Sequence, residues 1–125
     1  MTGKPQILVV DDDGPILMLM RNILREFGFE AVTAASGPQA VEAARQSPPA
    51  LVLLDKNMPG MSGAEVIQAL RADGLAQTPI LILSGEPLSS SELRELMADG
   101  AVQKPFDVPA LIETIRLYVG PMAQA

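Results

Sequence analysis

Short unbroken apolar runs alternate along this chain with longer stretches patterned at helical spacing. The runs at Gln6–Val10, Leu51–Leu54 and Ile80–Leu83 predict strands, and the shorter, more polar stretches Glu30–Ala34 and Ala101–Gln103 predict a second and a brief fifth. Apolar runs without polar alternation belong to strands buried on both faces, as in a parallel sheet under helices. Between them, Ile16, Met20, Ile23, Leu24 and Phe27 form one stripe of a helix over about Pro15–Phe27. Asp13 suits its cap, Pro15 its first turn, and Gly28 its stop. Ser36-Gly37-Pro38-Gln39 reads as a capping box for a helix to Gln46, closed by Pro48-Pro49. Ser62-Gly63-Ala64-Glu65 is a second such box, opening a helix to Ala72 with Val66, Ile67 and Leu70 inward. Ser89–Glu92 starts a short helix bearing Leu93, Leu96 and Met97. Asp107 caps the last helix, with Leu111, Ile112, Ile115 and Tyr118 expected on its inner face.

Strand and helix alternating five times imply a parallel sheet with right-handed crossovers. The fold class expected is α/β, a flavodoxin-like (βα)5 three-layer arrangement, taken with the doubly wound strand order 2-1-3-4-5. Residues 1–125 are expected to form one domain, with a core over about 5–119 and a loose tail at 120–125. No effector domain is expected to be attached, and Met1 with the frayed tail reads as a whole chain.

Composition narrows the function. A net charge of −6 argues against direct nucleic-acid binding, which needs clustered Lys and Arg. The absence of Cys and His removes disulfides, thiolate and imidazole metal sites, and the usual general base. No run is long enough for a signal peptide or a membrane span, so a cytoplasmic protein is expected.

The strand ends carry the candidate chemistry. The first ends in Asp11 and Asp12, the third in Asp55, the fourth in Ser84, the fifth in Lys104. The second, an edge strand in this order, ends in Ala34 and Ala35. Each polar residue alone is an ordinary turn or surface residue. Their shared position at the carboxyl edge of the sheet, around the switch point, points to a site centred on Asp55. Carboxylates about 4 Å apart at an effective dielectric near 20 repel by on the order of 4 kcal/mol per pair. Such a cluster raises a pKa or binds a cation, and an all-oxygen set suits a hard ion such as Mg²⁺. A carboxylate beside that ion, a hydroxyl and an ammonium is equipped to accept a phosphoryl group.

Val9-Val10-Asp11-Asp12, Leu54-Asp55 with Met58-Pro59-Gly60-Met61-Ser62-Gly63, Ser84-Gly85 and Lys104-Pro105-Phe106 together resemble the receiver domain of two-component response regulators. The resemblance covers nearly the whole chain. It implies Asp55 as phosphoacceptor and Mg²⁺ held by Asp12, Asp55 and the Asn57 carbonyl, with Asp11 acting largely through water. Lys104 supplies a charge and Ser84 a hydroxyl that follows phosphorylation. A cis Lys104–Pro105 bond is also implied, and Asn57 and Glu86 tune phosphoryl lifetime. The donor is a phosphohistidine of a histidine kinase or phosphotransfer protein, and the output is an unknown downstream protein bound by a monomer or weak dimer. The protein is expected to be a switch rather than an enzyme, catalysing only its own phosphorylation and dephosphorylation.

Three departures stand out. Ala101 occupies the position where the family usually has an aromatic residue, the interval from Ser84 to Lys104 is slightly short, and Lys56 follows Asp55 directly. Phe106 is expected to lie on the wrong side of Lys104 to replace the aromatic. Two rival readings have less support. A haloacid-dehalogenase-like phosphatase would use Asp11 as nucleophile, but a cap domain and a later acidic pair are missing. A flavin binder shares the sheet order, but the acidic first turn would repel its phosphate. A degenerate receiver used only for docking is disfavoured by the intact set of strand-end residues.

Overall fold

A computed structural model describes residues 4–56, 58, 60–104 and 106–119. The expectations for Asn57, Pro59, the Lys104–Pro105 bond and the tail at 120–125 lie outside the described residues. The elements are β1 (Gln6–Val10), α1 (Gly14–Glu26), β2 (Glu30–Ala34), α2 (Gly37–Gln46), β3 (Leu51–Asp55), α3 (Gly63–Ala72), β4 (Ile80–Ser84), α4 (Ser90–Leu96), β5 (Gly100–Gln103) and α5 (Val108–Val119). The strands form one parallel sheet of order β2-β1-β3-β4-β5.

Alternation of side chains along each strand divides the interior in two. Ile7, Val9, Leu51, Leu53, Leu81 and Leu83 face α1 and α5, joining Met20, Leu24, Phe29, Leu111, Ile112 and Ile115. Leu8, Val10, Val52, Leu54, Ile80 and Ile82 face the opposite way, against Ala40, Ala44, Val66, Ile67 and Leu70 of α2 and α3. The three central strands are therefore sealed on both sides, which holds their ends rigidly.

Several local expectations are corrected. Leu17 is buried on α1, whereas Phe27 is its exposed C-cap, because the helix ends one residue earlier and Gly28 turns the chain at φ +93°. In α2, Ser36 does accept from the Gln39 N–H, but the Gln39 side chain accepts from the Ala35 N–H instead of the cap residue. The box at Ser62 and Glu65 is reciprocal, as is one at Ser89 and Glu92. Met97 is not part of the α4 stripe; it is an exposed cap at φ +61°. Tyr118 is on the surface, not the inner face, and its hydroxyl donates to the Asp99 carbonyl across 3.1 Å. At this point α5 passes the start of β5 rather than the middle of the sheet.

Candidate functional site

The carboxyl edge of the sheet brings together strand ends far apart in sequence. Asp11 and Asp12 follow β1, Asp55 closes β3, and Lys104 follows β5. Asp11, Asp12 and Asp55 each offer a carboxylate oxygen within 4.8 Å of the others. Asp11 and Asp55 are buried, while Asp12 is exposed. The Lys104 ammonium donates to Asp55 Oδ1 at 3.0 Å and stands 3.6 Å from Asp11 Oδ2. That second separation suits an ion pair but is beyond a hydrogen bond, so Asp11 Oδ2 is buried with no hydrogen-bond partner.

The electrostatics follow from this packing. Burial lifts the Asp11 carboxyl above its ordinary range, and the charges of Asp55 and Asp12 add to the lift. The Asp13 N–H, bound to Asp11 Oδ1 at 3.0 Å, and the charge of Lys104 oppose it. For Lys104, burial alone would lower the pKa, but the Asp55 hydrogen bond and the charges of Asp55 and Asp11 together raise it. The ammonium is therefore held charged beside Asp55.

Ser84 is placed on the neighbouring strand, paired in register with Gln103. Its hydroxyl does not reach Asp55. It donates to the Glu86 carbonyl at 2.7 Å and accepts from the Glu86 N–H at 3.1 Å, closing a turn at the start of the loop to α4. The Glu86 side chain is exposed. Asn57 lies outside the described residues. The role of the Asp13 backbone in fixing Asp11 was not foreseen in the sequence, although Asp-x-Asp-Gly is a common turn composition. Ala101 is exposed and lines a pocket of about 240 Å³ together with Phe106, Leu111 and Thr114.

The carboxylate set fits a hard divalent cation: its donors are all oxygens, and one of them is buried without a hydrogen bond to satisfy it. The same cluster is an unfavourable site for an anion unless a cation accompanies it.

Residues 7–116 match the family described as response regulator receiver domain. The transcriptional regulatory protein KdpE of Mycobacterium tuberculosis is 36% identical over 115 residues, 90% of this chain and 50% of its own length. The DNA-binding response regulator MtrA of Mycolicibacterium smegmatis is 38% identical over 117 residues, again covering 50% of that protein. The chain thus spans about half the length of these relatives. Among solved structures, the chemotaxis protein CheY4 of Vibrio cholerae superposes with a TM-score of 0.86 at 32% identity, over 93% of this chain and 99% of that one. The receiver domain of a sensor histidine kinase from Pseudomonas aeruginosa, described with a magnesium ion coordinated in its active-site cleft, shares the fold at a TM-score of 0.85. It is 24% identical over 96% of this chain and all of its own. The chain belongs to the receiver domains of two-component response regulators.

Proposed function

We propose that this domain accepts a phosphoryl group on Asp55 from a phosphohistidine of a histidine kinase or phosphotransfer protein. The observation that carries the reading is the Lys104 ammonium 3.0 Å from a buried aspartate, itself clustered with two further carboxylates. A carboxylate oxygen of Asp55 attacks phosphorus, the phosphorus–nitrogen bond breaks, and its electron pair leaves with the imidazole. Lys104 fixes the Asp55 carboxylate and offers positive charge to the incoming oxygens. Asp12, Asp55 and the Asn57 carbonyl would hold Mg²⁺, with Asp11 acting through water. Bound there, the ion would supply charge neutralisation for the phosphoryl oxygens.

Ser84 then leaves the Glu86 carbonyl to donate to a phosphoryl oxygen, which opens the turn leading to α4. Asn57 and Glu86 would set the lifetime of the acyl phosphate by orienting or blocking the hydrolytic water. In this reading the domain is a switch that catalyses only its own phosphorylation and dephosphorylation. It acts in the cytoplasm as a monomer or weak dimer, and its switched surface binds a downstream protein. Residues 1–125 act as one receiver domain, and its net charge of −6 makes it a poor direct DNA contact.

Incubation with acetyl phosphate and Mg²⁺, followed by mapping of the label by mass spectrometry, tests the chemistry. Label on Asp55, lost in Asp55→Asn and in EDTA, is the expected result. Undiminished label on Asp11 in that variant would instead identify a phosphatase-type nucleophile.

A further inference from the structure

α4 is attached to the rest of the molecule very differently at its two ends. It is a short helix, about 10 Å long at the usual rise per residue. No residue of α4 is fully buried; Leu93 and Leu96 only rest against the α2–α3 side of the core. Its amino end is reached through Gly85, Glu86 and Pro87, all exposed, from the Ser84 turn at the site edge. Its carboxyl end lies at the opposite edge of the sheet, beside the start of β4.

There one side chain gathers the surrounding backbone. Arg71, in the last turn of α3 and only 15% exposed, donates through Nη1 to the carbonyls of Leu75 at 2.8 Å and Thr78 at 2.5 Å. Through Nη2 it donates to the Met97 carbonyl at 2.8 Å and to Asp99 Oδ2 at 3.0 Å. Asp99 Oδ2 also accepts from the Ile80 N–H at 2.8 Å, and the Asp99 N–H donates to the Ile80 carbonyl at 2.8 Å. Tyr118 adds α5 to the same knot through the Asp99 carbonyl. Gly100 makes room for this: a Cβ there would sit 2.8 Å from the Tyr118 hydroxyl oxygen. A guanidinium is suited to the task because its planar array of donors can satisfy several carbonyls at once.

We propose that Arg71 and Asp99 form a fulcrum that pins the carboxyl end of α4, so that switching swings its amino end about Met97. This rests on the reading of Asp55 as phosphoacceptor and adds the direction of the motion. Opening the Ser84 turn frees one end of the helix, while the hydrogen-bonded knot at the other end stays closed. The switched surface is then the Glu86–Glu92 side of α4, and the β5–α5 side keeps its shape.

Wild-type protein with Mg²⁺ and beryllofluoride, followed by backbone amide shifts, provides the test. Tyr118 is the only tyrosine and there is no tryptophan, so intrinsic fluorescence reports directly on the knot. Shifts at Ser89–Glu92 should exceed those at Met97–Gly100 several-fold, with Tyr118 emission unchanged. In Arg71→Lys, or in the milder Asp99→Asn should the first variant fold poorly, shifts should spread into Met97–Gly100 and Tyr118 emission should respond. Equal shifts at both ends of α4 in the wild type, or an unaltered pattern in the folded variants, would overturn the fulcrum. Silence at Asp12, Lys56 and Lys104 would overturn the phosphoacceptor reading instead.

Discussion

Asp11 shows what the site costs at the scale of one residue. Its carboxyl is pushed up chiefly by burial, so the native state holds its proton more tightly than the unfolded chain does. The native state is therefore penalised at neutral pH, and the penalty is relieved as pH falls through the raised value. Lys104 has the opposite sign: its pKa is raised, so its contribution is fully present below 10.5 and is lost as pH rises through the folded value. Removing one of the crowded carboxylates should stabilise the metal-free protein while destroying its response to Mg²⁺. For Asp12→Ala, whose partner Asp55 is buried but which is itself exposed, the gain is on the order of 1 kcal/mol after screening. Thermal melts in EDTA and in excess Mg²⁺ measure both effects. A variant that melts lower than wild type in EDTA would mean that repulsion is not what dominates there.

Among the elements, α4 is the one that depends most on its ends. Its interior buries little, so the reciprocal cap between Ser89 and Glu92 matters more here than in α3, where the same device accompanies a buried face. The Ser89 hydrogen bonds hold the Glu92 pKa below its ordinary 4.5, aided by the charge of Lys56. A depressed pKa means that the cap is fully formed above 4.5 and is lost as pH falls through the lower folded value. Carbon chemical shifts of residues 89–93 should therefore lose helical character on acidification before those of α3 do. Glu92→Gln should remove this dependence on pH. Ala101 belongs to this scale as well. A residue with no side-chain rotamer has nothing to turn inward, yet Phe106 reaches the pocket beside it, so the space near β5 is already bordered by an aromatic ring.

The whole molecule has two cores separated by one sheet, and they should respond independently to damage. Leu53 faces α1 and α5, whereas Ile67 on α3 belongs to the other side. Leu53→Ala should cost about 2–5 kcal/mol and Ile67→Val about 0.5–1.5 kcal/mol. Because the two residues share no layer, the double variant should equal the sum within about 0.5 kcal/mol. Denaturant titrations of the three proteins check this. A large coupling would show that strain crosses the sheet through β3, and would give Asp55 at its end a direct mechanical link to both cores.

Much of this protein was legible in its sequence because the signals are local. Apolar runs ending in Asp11, Asp55 and Ser84 predict buried parallel strands, and the sheet has the expected order 2-1-3-4-5, which places those ends and Lys104 at one edge. Caps at Asp13, Ser62 and Ser89 are readable because each needs only residues within three positions. Other features depend on contacts between distant segments and required the tertiary structure. Alternation along each strand separates its residues into two sets, but which helices each set meets is decided by the crossovers. Tyr118 reads as an inward helix residue until α5 is seen to pass the start of β5, where Gly100 lets its hydroxyl reach Asp99. Arg71 looks like a surface residue ending α3, and only the folded chain brings Leu75, Thr78, Met97 and Asp99 around it. The orientation of the Ser84 hydroxyl was likewise decided in space, where it donates to the Glu86 carbonyl.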